Sequence, residues 1–376
     1  MKRFWDAYLD TFRIIFTTYG SFSTMVFAIL LYGVLYPQPY VGEVVRNAPV
    51  VVVDQDHSSL SRALARRIDN TDGVTIVSKV ADLQQAKDRF FHREAYGFVI
   101  IPPDFEKSLL DGQPSPIAVY GDGSYFLIYS SIVSGVRSAA SSLGAEVQMS
   151  RLTAAGMDVA SATAMISPVT ITTVSLFNPQ GGYTSYVVPA AFVLILQQTL
   201  MMGIGILQSG RKASRGMEAL AAPLAYVSLY LVWIYFSQVL LPQFYSIPKI
   251  GDTLTLFMVA IPFLTATTAM GYVIARIIPW REGVVFFLIA FGLLFFFASG
   301  VSWPIEEVPL PVRLITLLVP STSAIMAFVQ VDQMGAGFDA VQDAVFTLLG
   351  LTVFYSAIAV AIGAKRLRVE DKAPKA

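Results

Sequence analysis

The sequence predicts an α-helical integral membrane protein with six transmembrane helices, a re-entrant hairpin between spans 5 and 6, and an inserted α/β extracytoplasmic domain. Three observations predict it. Six apolar stretches, 14–42, 183–207, 219–248, 253–275, 283–305 and 344–364, contain none of the chain's 26 Lys/Arg or 26 Asp/Glu. Each has the roughly 20 residues that cross about 30 Å of hydrocarbon as a helix. The insert between the first two stretches carries most of the charge and alternates strand-like with helix-like periods. The 376 residues are 55% hydrophobic with a mean hydropathy of +0.61, too apolar for an ordinary soluble domain.

Residues 1–19 form the first element. Phe4, Trp5, Tyr8, Leu9, Phe12, Ile15, Phe16 and Tyr19 recur at three- and four-residue steps, with Lys2, Arg3, Asp6, Asp10 and Arg13 mostly opposite them. That pattern fits a helix lying in the membrane interface; the other reading is a plain overhang of the first span, 20–37. Asp6 and Asp10 precede the apolar run and no small-x-small site follows it, so the span is expected to be an uncleaved anchor.

The insert, 38–182, reads as strands at 49–54, 73–77, 96–101 and 117–120, with helices at 59–69, 82–91 and 103–110 and a long helix over 125–155. Spans follow at 183–207, 221–241, 254–275, 283–302 and 344–364, with a short loop at 208–220 and a tail at 365–376. The segment 314–331 is also free of charge. It is short, Pro320 lies within it, and a seventh crossing would put the basic tail outside. A hairpin over 303–331 is therefore expected, since irregular backbone at membrane depth is tolerated where protein or a watery cavity buries it.

Orientation follows from the cations. With both termini inside, Lys2, Arg3, Arg13, Arg211, Lys212, Arg215, Arg276, Arg281, Lys365, Arg366, Arg368, Lys372 and Lys375 are cytoplasmic, while the short outer connections hold Lys249 and Arg313. The large insert is then outside.

Several chemistries are excluded or weakened. The chain has no cysteine, so no disulfide or thiolate metal site, and equal numbers of acids and bases, so no electrostatic case for nucleic acid. No Walker A pattern, H-E-x-x-H or G-x-S-x-G occurs. Ion-driven carriers usually keep an ionisable group at midplane as a relay; with none in these stretches, energy for any transport would enter from elsewhere. Asp54, Asp56 and His57 are the one cluster resembling a metal site. Turn and N-cap chemistry around Asp56, Ser58 and Ser59 is the stronger reading. Gln197 and Gln198, adjacent amides in the second span, either line a path or hydrogen-bond between helices.

Several pieces together resemble the membrane subunits of ABC-2 type exporters. They are 51–61 (VVVDQDHSSLS), 97–105 (GFVIIPPDF), Phe177-Asn178-Pro179 with Pro189, and 299–320 (SGVSWPIEEVPLPVRLITLLVP), in this order over nearly the whole chain. The resemblance implies a permease subunit of an ATP-driven exporter in the bacterial inner membrane, pairing with a second permease copy or paralogue. It implies cytoplasmic ABC ATPase subunits that hold the ATP and Mg, this chain itself binding no cofactor. It further implies ATPase coupling through Arg211, Lys212, Arg215, Gly216 and Glu218, and an exit hairpin with Trp303, Pro304, Glu306, Glu307, Pro309 and Pro320. Relatives with a large external domain often work with a periplasmic membrane-fusion protein and an outer-membrane channel. The coupling loop departs from the family pattern: acids followed by Gly-Thr-x-Glu are usual where Arg211 and Lys212 stand, and Gly216 is only two residues before Glu218. Charge-free spans suit an amphipathic or hydrophobic cargo. The rival expectation is a receptor or scaffold whose external domain binds a ligand or protein without transport.

Overall fold

In the computed structural model, which describes residues 2–42, 44–169, 172, 176, 183–211, 218–300 and 307–370, the chain divides into two compact units, Val44–Val174 and the remainder. The helical unit begins with α1 (Lys2–Thr17). Thr11 and Ile15 are buried on one side of α1, and an edge-to-face ladder runs from Phe4 through Trp5 and Tyr8 to Phe12. The helix stops at Thr18, whose backbone is extended. The chain then continues as α2 (Tyr19–Phe22), a π-helical turn (Ser23–Phe27) and α3 (Ala28–Leu35). Hydroxyls bond back to the chain just before this turn: Ser21 Oγ donates to the carbonyls of Ile15 and Thr18 at 3.1 and 3.0 Å, and Thr24 Oγ1 to that of Gly20 at 2.9 Å. A 3-10 turn (Gln38–Tyr40) follows, and Gln38 Nε2 donates to Tyr245 Oη. Residues 38–43, read from the sequence as the start of the insert, thus group with the helices.

The second unit is built on four strands: β1 (Ala48–Asp54), β2 (Val74–Val80), β3 (Gly97–Ile101) and β4 (Ala118–Gly121), in the order β2-β1-β3-β4. β1 pairs in parallel with β2 and β3, and β4 runs antiparallel to β3. The helices are α4 (Ser59–Asp69), α5 (Leu83–Phe91), α6 (Phe105–Leu110), α7 (Phe126–Ala154) and α8 (Val159–Ile166). The chain steps one way from β1 to β2 and back past β1 to β3. Right-handed crossovers then place α4 and α5 on opposite faces. Val50 and Val52 accordingly pack with Leu64, Ile68, Ile132 and Val136, whereas Val51 and Val53 pack with Ala86, Ala95 and Phe98. Burial on both sides is why the strand reads as an unbroken β-branched run rather than an alternation. On α7 the buried residues Ile132, Val136, Ala139, Leu143 and Val147 form one stripe at helical spacing.

The helical unit resumes with α9 (Tyr183–Gln208), α10 (Glu218–Tyr235), a second π-helical turn (Phe236–Leu240), α11 (Leu241–Phe244), α12 (Thr253–Ile277), α13 (Arg281–Ala298), α14 (Leu310–Thr316), α15 (Pro320–Met334) and α16 (Phe338–Glu370). Among the described residues, five helices are long and apolar enough to cross a membrane: Tyr19–Tyr40, Thr184–Gln208, Glu218–Phe244, Thr253–Ile277 and Phe338–Ala364. The stretch expected as span 5 is α13, whose 18 residues rise about 27 Å. α14 and α15 together pass the same test but are bent by 87°. The bend has a local cause: Pro320 is the first residue of α15, and the residue before a proline is driven out of the helical region, as Val319 is. Pro320 therefore starts a helix rather than interrupting one. α12 is the centre of the unit, with Leu256, Val259, Ala260, Phe263 and Leu264 fully buried among α9, α10, α15 and α16.

Candidate functional site

Of the residues singled out in the helical unit, Gln197 and Pro320 meet at the N-terminal end of α15. At its N-terminus the backbone N–H of Ser321 is an orphan donor of the first turn. Gln197 of α9, wholly buried, accepts it at Oε1 (2.8 Å) and donates from Nε2 to Ser321 Oγ (3.0 Å). Gln197 therefore bonds between helices. Gln198 points about 100° away around α9, toward Gly292 of α13, where an added Cβ would lie 3.2 Å from its Nε2. The Gln198 amide has no hydrogen-bond partner among the described residues. The turn between α14 and α15 is tied to α16 by Tyr355 Oη, which donates to Leu318 O at 2.6 Å.

At the other end α15 closes on Gly335 in the left-handed region. Here the loop after α11 lies against it: the N–H groups of Ile250 and Gly251 donate to Asp332 O at 2.9 and 3.2 Å. Lys249 Nζ stands 3.2 Å from Asp332 Oδ1, with side chains only 16% and 7% exposed. Sequence reading missed this pair because each partner borders an apolar stretch and reads as a solvated end. The available signal was position: Lys249 directly follows Pro248, and Asp332 directly follows 314–331.

Of the expected exit-hairpin residues, Pro309 is the exposed N-cap of α14, Glu307 is exposed just before it and Pro320 is buried. Trp303, Pro304 and Glu306 lie outside the described residues. Of the expected coupling residues, Lys212, Arg215 and Gly216 also lie outside them. Arg211 is exposed just beyond α9 and follows Gly210, which lies in the left-handed region. Glu218 is not in a separate loop turn; it opens α10, where a carboxylate complements the positive helix terminus. Gln208 Nε2 donates to Tyr226 Oη at 2.8 Å, and Ser209 Oγ donates to Ile278 O, so the end of α9 is anchored to α10 and to the residue after α12. α1 packs along α10. An open groove of about 460 Å³ runs along α13, lined by Trp280, Glu282, Phe286, Phe287 and Phe291.

In the other unit the acidic cluster serves the fold. Asp54 Oδ1 accepts the N–H groups of Asp56 and His57 at 3.1 and 3.0 Å, and Oδ2 accepts Ser61 Oγ at 2.8 Å. Ser58 caps α4 by accepting Ser61 N. Asp56 accepts Phe105 N and Glu106 N at the start of α6. Burial pushes the Asp56 carboxyl up, but hydrogen bonds from Ser58, Glu106, Phe105 and Asp104 outweigh it and hold the group below the usual carboxylate range. His57 sits at positive φ, its N–H used by the turn. Among the described residues no group of three His, Cys, Asp or Glu is placed to hold a metal.

Residues 19–364 match a family described as ABC-2 family transporter protein. No curated protein matches the chain.

Proposed function

The chain belongs to the ABC-2 transporter family, and from that premise we propose that it is the permease subunit of an ATP-driven exporter, embedded in a bacterial inner membrane with both termini cytoplasmic. The family is one of membrane subunits that partner ABC ATPases and are not ATPases themselves. The observation that carries the reading is the extent of the match, which takes in all five long apolar helices and the whole 44–174 unit.

In this reading six crossings form, α13 among them, and two copies or a copy and a paralogue enclose the path. Nucleotide-driven closure of the ATPase pair, which holds ATP and Mg, pushes on the 208–220 segment and on α1, shifting packed helices as rigid bodies. The packing of α1 along α10 and the anchoring of the α9 end to α10 support a stiff link from that surface into the bundle. The bent α14–α15 pair acts as the exit hairpin, and the 44–174 unit shapes the exit or docks a periplasmic membrane-fusion protein that leads to an outer-membrane channel. The cargo is amphipathic or hydrophobic, which the apolar groove along α13 with its single Glu282 carboxylate supports.

The test is co-purification of the full chain with a co-expressed ABC ATPase, followed by ATP hydrolysis in lipid nanodiscs. Arg215→Ala with Glu218→Ala is expected to lower hydrolysis by about tenfold, about 1.4 kcal/mol in activation free energy. Unchanged hydrolysis overturns the coupling assignment. Absence of any bound ATPase returns the chain to the receptor or scaffold reading.

A further inference from the structure

We propose that the Lys249–Asp332 ion pair is a releasable latch holding the C-terminal end of α15 to the outer end of the α10–α11 span, and that the transport cycle parts it. The cycle itself rests on the exporter reading; the latch does not.

The lysine is fixed from its own side. Gln238 lies in the second π-helical turn, four residues before Pro242, which has no N–H to return to the Gln238 carbonyl. Lys249 Nζ donates to that carbonyl at 3.2 Å. The Gln238 side chain in turn donates from Nε2 to Pro189 O at 3.1 Å. Lys249 is thus a charge seated on the α9–α10 side of the bundle, donating to the Gln238 carbonyl.

Asp332 is held far less completely. Its carboxylate is buried, yet beyond the Lys249 approach at 3.2 Å neither oxygen makes an aligned hydrogen bond among the described residues. Two buried ions are a poor way to add stability, because their desolvation cost offsets most of their attraction and an apolar pair of similar volume would hold as well. A carboxylate with one loosely placed partner suits a contact that must open. By contrast, the Arg67–Glu146 and Arg89–Glu94 pairs of the other unit are 30% to 60% exposed and carry no such cost.

The surroundings make the pair decisive for movement. The N-terminus of α15 is fixed by the two uncharged bonds to Gln197, and the break before Pro320 leaves a joint there. At the far end Gly251 lies so close that a Cβ on it would stand 2.0 Å from Val331 O. The 247–252 loop and the last turn of α15 cannot slide past one another without separating. Separation breaks the ion pair together with the Ile250 and Gly251 bonds to Asp332 O. One end pivots and the other releases.

The experiment uses the full chain in nanodiscs. Backbone hydrogen exchange is followed over the second half of α15 and over 249–252 in the wild type, Asp332→Asn and Lys249→Met. Each variant is expected to speed exchange there by about tenfold or more while leaving α12 unchanged; equal exchange in all three overturns the latch. Asp332→Asn keeps the side-chain shape and serves if Lys249→Met fails to fold. For the second arm, Lys249→Cys and Asp332→Cys are bridged in this otherwise cysteine-free chain by a short bis-methanethiosulfonate. ATP hydrolysis by the complex is expected to fall about tenfold and to recover on reduction. Full hydrolysis in the bridged protein overturns the parting step. The exchange arm needs no ATPase, so a failed latch and a failed exporter reading give different results.

Discussion

Asp54 and Asp56 show two carboxylates in one tight turn doing different jobs. Asp54 closes the turn after β1, and Asp56 reaches across to cap α6. Asp54→Ala should cost the 44–174 unit about 1–3 kcal/mol, because three donors lose a buried acceptor; chemical denaturation measures it. The Asp56 carboxyl lies below its ordinary value in the folded state. Its contribution is therefore present above the unfolded pKa of about 4 and is lost as pH falls through the lower folded value. Melting temperature should drop on acidification below pH 4, and Asp56→Asn should flatten that slope. The Asp54 turn and the Ser58 cap were legible because their partners are near in sequence; the Asp56 partners, 49 and 50 residues away, were not. Gln197 was different: two readings stood open, and the deciding partner is 124 residues away. Gln197→Leu should destabilise the detergent-solubilised protein by about 1–2 kcal/mol, because Ser321 N loses its buried acceptor.

Among the elements, the first span and α9 meet at a point where backbone approaches side chain. A Cβ on Gly203 would stand 2.3 Å from Met25 Sδ, on the first π-helical turn. Small residues at helix contacts let membrane helices pack without a hydrophobic drive. Gly203→Val should cost about 1–3 kcal/mol by overpacking, read as earlier loss of monodispersity on heating in detergent. Met25→Ala in the same chain should restore part of it. The α14–α15 break was legible through Pro320, but its 87° angle was not, because the angle depends on where Gln197, Tyr355 and Lys249 hold the two pieces.

Across the whole molecule two cores form separately, one around α12 and one around β1. The 44–174 unit buries both faces of β1 using its own helices. Excised, it should fold alone, giving a mixed α/β circular dichroism spectrum and a single cooperative melt; a spectrum without a melting transition would show that it needs the rest of the chain. The apolar stretches, the β-branched run at 50–53 and the insert's alternation of strands and helices were set by composition and period, which are local properties. Sheet order, the burial of Lys249 beside Asp332 and the pairing of Gln197 with Ser321 were decided only in the tertiary structure. Local pattern states which faces are apolar, but a polar group at the edge of an apolar stretch looks the same whether water or an opposite charge satisfies it. Only folding brings the second partner within 3.2 Å.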